Sequence, residues 1–316
     1  MVGSRCVGGM PIPYQEETMD PAIRLKDPRA DHPGGIVVTP LAPALGAEVS
    51  GVDIAAGISD DMLAAVRGAL HRHGVIVLRD QNITPEDQVA FCKRLGRMRV
   101  SFMSDLSVPG VPELTVVSNI VKDGKPIGLV DAGALWHTDG SYLPEADMYT
   151  VLHAIQIPQR DGVALGDTCF MSSGAVYDAL PSDMRAKIEH ARGVHSFSYH
   201  IQRKIAANFK APPTTKQLPD VEHPAIRVHP ATGRKGIYLT EGHTKAIAGM
   251  PEAESRALLD RLAEFAKQPQ FLYRHSWRVG DLLIWDNVAT QHLAITDYGS
   301  LPRRLHRAGI ASLYEG

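Results

Sequence analysis

Residues 282–292 read LLIWDNVATQH, an apolar run that passes into polar residues and ends at a histidine. A short apolar run bounded by turn-forming residues is typical of a strand that is buried on both faces. We therefore predict a strand at residues 282–285, followed by a polar turn that delivers His292 to the end of a sheet.

Similar short runs, rich in β-branched, aromatic and leucine residues, occupy much of the chain before and after this stretch. They predict strands at residues 36–39, 75–78, 114–121, 148–155, 226–229, 236–239, 271–274 and 305–311. Helices are expected after the N-capping residues Ser59 and Thr84, and a third from Pro251 onward, where apolar residues have helical spacing. The pattern predicts a mainly β fold with peripheral helices, either a sandwich or a jelly roll.

The composition is typical of a globular protein with a packed core, since 44% of the 316 residues are apolar and 22% are charged. No internal repeat or shift in composition marks a second domain. We expect a flexible N-terminal tail at residues 1–34 and one domain at residues 35–316.

The charge balance and the cysteines narrow the partners and the compartment. A net charge of −2 provides no electrostatic basis for binding nucleic acid or an anionic membrane, so a small-molecule partner is expected. The three cysteines lack CxxC spacing, which favours a reducing cytoplasm over a disulfide framework. The N-terminal residues contain no signal-peptide core, and no apolar run is long enough to span a bilayer.

A metal site is suggested by His137-Thr138-Asp139, because only this one of the fourteen histidines has a carboxylate two residues later. On an extended segment, residues i and i+2 point to the same side, so both side chains could bind one ion. His292 offers a third ligand, and two histidines with one carboxylate leave coordination positions open on Fe(II). The alternatives are a hydrogen-bonded surface pair and an ordinary buried histidine.

Arginines follow His292 in the next predicted strand. If that strand begins at residue 303, Arg303 and Arg307 share a face and Arg304 points elsewhere. An unpaired guanidinium is costly to bury, so an interior pair of arginines requires an anion such as the dicarboxylate 2-oxoglutarate. The Thr168 hydroxyl, at the start of another strand, could bind the same carboxylate. The alternative is a basic strand on the surface.

Several segments together resemble the TauD/TfdA group of 2-oxoglutarate enzymes, which includes taurine dioxygenase and phenoxyacetate-herbicide dioxygenase. The resemblance covers roughly residues 35–316. It rests on PL at 40–41, LGAEVSGVD at 45–53, WHTD at 136–139, GDT at 166–168, HP at 229–230, GRK at 233–235 and WDN at 285–287 leading to His292.

This resemblance implies a double-stranded β-helix, a jelly-roll variant, with Fe(II) held by His137, Asp139 and His292. It implies that Thr168 and Arg303 hold the distal carboxylate of 2-oxoglutarate. The reaction it implies consumes O2, releases succinate and CO2, and hydroxylates a small anionic molecule of the sulfonate, aryloxyalkanoate or alkyl sulfate class. The hydroxylated product can then fall apart. Relatives of this kind are often dimers or tetramers, so a homo-oligomer is expected.

The same resemblance makes Arg307 a candidate for binding the anionic group of the substrate, with a second possible role at the cosubstrate. The spacing before Arg303 departs from the family pattern, so Arg304 stays an alternative for holding 2-oxoglutarate.

For the substrate pocket, location suggests residues 99–121, including Phe102, Met103 and Asn119, and residues 195–200, including Phe197. His195 and His200, in the second stretch, could equally be hydrogen-bonded strand histidines. Two other functions stay open at this point: a zinc hydrolase with the same three ligands, and a non-catalytic binding or sensing protein on the same fold.

Overall fold

The computed structural model describes residues 35–101, 104–212, 214 and 216–312. The expected tail at residues 1–34 and the pocket candidates Phe102 and Met103 lie outside the described residues.

The described chain is mainly β-structure. Its strands are β1 (Val37–Pro40), β2 (Ala47–Ser50), β3 (Val75–Leu78), β4 (Arg97–Arg99), β5 (Ser107–Val108), β6 (Val111–Ser118), β7 (Val121–Lys122), β8 (Lys125–Pro126), β9 (Tyr149–Gln156), β10 (Gln159–Arg160), β11 (Val163–Ala164), β12 (Thr168–Ser172), β13 (Arg192–His195), β14 (Val221–Pro224), β15 (Ile226–Val228), β16 (Lys235–Ile237), β17 (Thr244–Ile247), β18 (Leu272–His275), β19 (Leu282–Asp286), β20 (Thr290–Ala294) and β21 (Arg304–Ser312). Its α-helices are α1 (Asp60–His73), α2 (Pro85–Leu95), α3 (Ser173–Ala179), α4 (Ser182–Ile188), α5 (Phe197–Ala206) and α6 (Glu252–Ala266), with single 3-10 turns at Ser104–Leu106 and Pro269–Phe271.

The largest sheet has the strand order β1-β2-β3-β19-β9-β21-β6-β5, with β4 also paired to β21. Its neighbouring strands are antiparallel except for β2 and β3. A smaller antiparallel sheet has the order β18-β12-β20. The predicted strand at residues 282–285 is β19, and it lies inside the large sheet between β3 and β9, which explains its continuous apolar character.

The side chains of the large sheet alternate between two cores. On β19, Leu282 and Ile284 pack in a core shared with helices α1 and α2. Leu283 and Trp285 face the other way and pack with Phe170 of β12. The two sheets therefore face each other across a shared core, and the residues on the far side of β12 pack with α3, α4 and α6.

The helix caps follow from the sequence. The Ser59 hydroxyl accepts a hydrogen bond from the Met62 N–H, which caps α1. Thr84 and Asp87 form a reciprocal capping box at α2, and α6 begins directly after Pro251. The three predicted helices and the mainly β class are confirmed.

Most of the predicted strands are confirmed to within two residues at each end. The strand predicted at 114–121 instead runs from Val111 to Ser118. The polar turn predicted between the 282–285 strand and His292 is confirmed at residues 287–289, and His292 itself lies within the following strand, β20.

The interpretation of His200 as a strand histidine is wrong. Strand β13 ends at His195, and the Ser196 hydroxyl then accepts a hydrogen bond from the Tyr199 N–H and caps helix α5. His200 therefore lies in the first half of a helix. Ser196 is a residue type that favours an N-cap, but the apolar and aromatic residues around it also fit a strand.

Replacing Leu283 by alanine tests the shared core between the sheets. Leu283 is fully buried, so we expect Leu283→Ala to lower the free energy of unfolding by about 2–5 kcal/mol, measured by urea denaturation. Val279→Ala, at a side chain that is 59% exposed, is the matched control and should cost less than about 0.5 kcal/mol. Equal losses in the two variants would contradict this packing arrangement.

Candidate active site

A two-way backbone contact joins His137 to His292. The His137 N–H donates to the His292 carbonyl at 3.0 Å, and the His292 N–H donates to the His137 carbonyl at 2.9 Å. This isolated antiparallel bridge places the two imidazole centroids 4.1 Å apart, although the residues are 155 positions apart in the chain. The loop that carries His137 is thereby fixed to the edge of the small sheet.

The ring orientations leave lone pairs free for an ion. His137 Nδ1 is 2.7 Å from the Leu135 carbonyl, which can only accept, so Nδ1 donates and Nε2 carries the free lone pair. His137 Nε2 lies 3.5 Å from Asp139 Oδ1, and His292 Nε2 lies 3.9 Å from Asp139 Oδ2. One ligand atom from each of the three residues lies within 4.8 Å of the others.

The protonation states suit metal ligation. Burial alone would raise the pKa of the Asp139 carboxyl, but Arg307, His292 and His137 together hold that pKa well below its usual range. Burial and the neighbouring His137 lower the pKa of His292 well below its ordinary value. An ionised carboxylate and a neutral imidazole are the forms that bind a metal ion.

A second set of side chains orients Asp139. The Thr150 hydroxyl donates to Asp139 Oδ2 at 2.7 Å, and the Asn287 amide nitrogen donates to the Thr150 hydroxyl at 2.9 Å. The Asn287 amide oxygen accepts from the Trp285 indole N–H at 3.0 Å and from the Asp139 N–H at 3.3 Å. Sequence reasoning assigned no role to Trp285, Asn287 or Thr150, although the WDN motif was the available signal for the first two.

Arg303 is buried, and among the described residues it has no carboxylate within ion-pair distance. One guanidinium nitrogen donates to the Gly166 carbonyl at 3.1 Å, while Nε has no hydrogen-bond partner among the described residues. The guanidinium lies 5.9 Å from the Trp277 ring centroid, and the Trp277 indole N–H donates to the Thr168 hydroxyl at 3.1 Å. Trp277 therefore contacts both Arg303 and Thr168, and the structure brings these two predicted residues together.

Gly166 is required for this close approach. Its φ is +78°, and a Cβ added there would lie 2.8 Å from Arg303 Nε. In the small sheet Thr168 pairs with Ala294, and Phe170 pairs with His292. Because Thr168 and Phe170 are two residues apart on one strand, the Thr168 side chain is on the same sheet face as His292.

The two other arginines are separated by strand alternation. Arg307 lines the main cavity, and its guanidinium lies 3.1 Å from Asp139 Oδ2 and 3.2 Å from Asp147 Oδ2. Arg304 shares strand parity with Ala308 and Ile310, which pack in the core beneath helices α1 and α2. Arg304 is thus on the face of β21 opposite to Arg303 and Arg307.

The main cavity opens beside His137 and Asp139. Phe197, which was proposed as a pocket residue, lines it, and so does His200. Asn119 is not among its lining residues: the Asn119 amide accepts from the Arg303 N–H and donates to the Leu301 carbonyl, so it holds the turn before β21. His195 is fully buried away from the cavity, and burial lowers its pKa to about 3.

A second His/Asp cluster consists of His71, His229 and Asp286. Its hydrogen bonds are already complete: His229 Nε2 lies 2.6 Å from Asp286 Oδ2, and His229 Nδ1 accepts from the N–H groups of Ala231 and Thr232. Asp286 Oδ1 accepts from the N–H groups of Val288 and Ala289, which form the turn after β19. We interpret this cluster as a structural brace for that turn.

The chain is similar to several known proteins. Residues 38–308 match the family model for the taurine catabolism dioxygenase TauD, TfdA family. An α-ketoglutarate-dependent 2,4-dichlorophenoxyacetate dioxygenase of Cupriavidus pinatubonensis is 31% identical over 86% of this chain and 96% of its own length. An α-ketoglutarate-dependent sulfate ester dioxygenase of Pseudomonas putida is 30% identical over 89% and 91%. A solved structure of AAD-2 in complex with Mn(II) and N-oxalylglycine has a TM-score of 0.73 and 31% identity, and covers 88% of this chain and 97% of that one.

Metal titration distinguishes the two His/Asp clusters. With Mn(II) as the probe in isothermal titration calorimetry, we expect one ion per chain. Because His292 is one of three candidate ligands in its cluster, His292→Ala should weaken binding by at least about 100-fold if the ion binds there. His71→Ala is the matched control and should leave the affinity unchanged. If His71→Ala lost binding and His292→Ala retained it, the metal would bind at the His71 cluster and our assignment would be wrong.

Proposed function

Because this chain belongs to the taurine catabolism dioxygenase TauD, TfdA family, we propose that it binds Fe(II) through His137, Asp139 and His292 and hydroxylates a small organic anion. Like its relatives, it is a 2-oxoglutarate-dependent dioxygenase that uses Fe(II), 2-oxoglutarate and O2 and releases succinate and CO2. The observation that carries the site assignment is the His137–His292 bridge, which gathers the three ligand atoms around one point.

The donor set fits Fe(II). Two imidazole nitrogens and one carboxylate are the ligand set of the facial arrangement that suits non-haem iron. When bound, the ion supplies open coordination positions for the oxoacid and for O2 and the redox chemistry of the reaction. The protein's own task is to hold the ligands rigidly, which Thr150 and Asn287 do through their hydrogen bonds to Asp139.

We assign the distal carboxylate of 2-oxoglutarate to Arg303 and Thr168. Arg303 Nε has no hydrogen-bond partner and its guanidinium no carboxylate contact among the described residues, and the carboxylate of 2-oxoglutarate would provide both. Trp277 holds the threonine hydroxyl next to the guanidinium. N-oxalylglycine, present in the AAD-2 structure, has the same two carboxylates as 2-oxoglutarate.

The proposed substrate classes are aryloxyalkanoates, alkyl sulfates and sulfonates, which correspond to the names of the relatives and of the family. Hydroxylation of a carbon that is bonded to oxygen or sulfur gives a product that can cleave. Phe197 would contact the organic part of the substrate in the cavity, and Arg307 would contribute positive charge beside the metal ligands.

We further propose that the two facing sheets form a double-stranded β-helix and that residues 35–316 are one domain. In support of this, β1 and β21 belong to the same sheet, so the two ends of the described chain share one core. A homo-oligomer and a cytoplasmic location stay predictions. In the described part of the chain, no helix has the length and apolar character needed to cross a bilayer.

Two alternatives that the sequence left open are not favoured. The relatives that match most of this chain are named as α-ketoglutarate-dependent dioxygenases, which supports neither a zinc hydrolase nor a non-catalytic sensor.

The reaction class can be tested under defined conditions. Anaerobic addition of Fe(II) and 2-oxoglutarate should produce a weak visible charge-transfer band. In air, one or more of 2,4-dichlorophenoxyacetate, hexyl sulfate and hexanesulfonate should stimulate succinate release. Asp139→Ala should abolish that release because one of the three metal ligands is lost. A protein that binds the metal but shows neither the band nor succinate would refute the proposal.

The 2-oxoglutarate anchor can be tested with two neighbouring arginines. Arg303→Gln should raise the KM for 2-oxoglutarate by about 30–100-fold, because it removes a buried pair of charge-assisted hydrogen bonds. Arg304→Gln removes the same charge from the opposite face of β21 and should leave this KM unchanged. The reverse result would move the anchor to Arg304.

A further inference from the structure

Among the described residues, three cations line the main cavity: Arg99, Lys204 and Arg307. Arg307 is paired with Asp139 and Asp147, and Arg99 Nε lies 2.6 Å from Asp147 Oδ1. Both arginines therefore already have carboxylates in contact. The positive charge of Lys204 is the one that the described protein does not neutralise by direct contact.

Lys204 is 3% exposed, and its Nζ donates to the main-chain carbonyl of Asp131 at 2.9 Å. The Asp131 carboxylate attracts the ammonium only at longer range, because its Oδ2 accepts from the Lys210 N–H. In the described part of the chain, no carboxylate lies within ion-pair distance of Lys204 Nζ. Burial of an ammonium against a neutral carbonyl is costly, and a contacting anion would offset that cost.

Helix α5 places Lys204 on the wall of the main cavity. Phe197, His200 and Lys204 are spaced by three and four residues, so they lie on one face of α5, and all three line the cavity. The His200 ring is 6.2 Å from the His137 ring. Side chains on a helix tilt toward its N-terminus, so the Lys204 stem runs back toward His200.

The loop that accepts the Lys204 hydrogen bond also connects it to His137. The Asp131 carbonyl that accepts from Lys204 is two residues from Gly133, and a Cβ added at Gly133 would lie 3.4 Å from His137 Cε1. The loop that receives the ammonium thus abuts the proposed metal ligand. The lysine belongs to the wall of the reaction cavity and not to a remote surface.

His200 is the neighbour of Lys204 on the face of α5 that lines the cavity. His200 Nδ1 donates to the Gly242 carbonyl, which leaves Nε2 as an acceptor. Among the described residues of α5 that line the cavity, Lys204 is the only lysine or arginine.

We propose that Lys204 Nζ binds the anionic group of the primary substrate, with the organic part of the substrate lying along Phe197 and His200 on the same face of α5. This inference rests on the proposed function. It adds a specificity residue that the family motifs do not include, and it makes α5 the element that selects for a carboxylate, sulfate or sulfonate. Lys204 is a substrate-binding residue and holds neither the metal nor 2-oxoglutarate.

The direct test is calorimetric binding to protein loaded with Mn(II) and N-oxalylglycine, which does not turn over. The probes are 2,4-dichlorophenoxyacetate, hexyl sulfate, hexanesulfonate and the neutral amide of the first. Wild-type protein should bind at least one anion, and should prefer the carboxylate to its amide if that anion is 2,4-dichlorophenoxyacetate. Lys204→Met should weaken binding of the preferred anion by at least about 30-fold, since a charge-assisted hydrogen bond is lost.

Controls separate charge from fold. Lys210→Met removes the same charge from an exposed side chain six residues later and should bind the anion as wild type does. Lys204→Arg keeps the charge and should recover part of the affinity. Lys204→Met should retain wild-type Mn(II) affinity, which would show that the site is intact.

The outcomes divide cleanly between the two proposals. If no wild-type sample forms succinate from 2-oxoglutarate, the proposed function fails. If wild type forms succinate but Lys204→Met leaves the KM of the stimulating anion unchanged, only the Lys204 assignment fails. The assignment is also overturned if wild-type protein binds none of the anions. The same holds if 2,4-dichlorophenoxyacetate is the preferred probe but binds no better than its neutral amide. A raised KM with a nearly unchanged kcat at saturation is the expected result.

Discussion

The reciprocal hydrogen bonds between His137 and His292 are the constraint on which the rest of the site depends. They connect the loop that carries His137 to strand β20 of the small sheet. Because the contact is made by the backbone, both imidazoles are free to turn their Nε2 atoms toward Asp139. Side-chain contacts then fix Asp139: the Thr150 hydroxyl of the large sheet donates to its carboxylate, and the Asn287 amide oxygen, in the turn after β19, accepts from its backbone N–H.

Buried charge is distributed in a way that separates structural from ligand-binding groups. Arg99, Asp147, Arg307 and Asp139 form a chain of alternating charges in which each member contacts the next. Such a chain can be buried because every charge has a partner. Arg303 and Lys204 are buried and lack carboxylate contacts among the described residues. Uncompensated cations of this kind are expected where an anionic ligand completes the site.

The residues of the WDN motif at 285–287 support the fold around the site and take no part in the reaction themselves. Trp285 both fills the core between the sheets and donates its indole N–H to Asn287. Asp286 points to the opposite side of β19 and, with His229, braces the turn that leads into β20. One short motif therefore sets the position of Asp139 on one face and the start of the His292 strand on the other. These two roles explain why a tryptophan, an aspartate and an asparagine occur side by side at the end of a strand that is otherwise apolar.

The sequence by itself determined the mainly β class, the three capped helices and the identity of the metal-ligand candidates, because these depend on local periodicity, caps and i, i+2 spacing. It also placed Arg303 and Arg307 on one face, since strand alternation is a local property. Only the tertiary structure decided that His292 lies in a strand and His200 in a helix, that Asn119 supports Arg303, and that Lys204 lines the cavity. Those outcomes depend on contacts between segments far apart in the chain, and a buried ammonium cannot be distinguished from an exposed one until the walls around it are assembled.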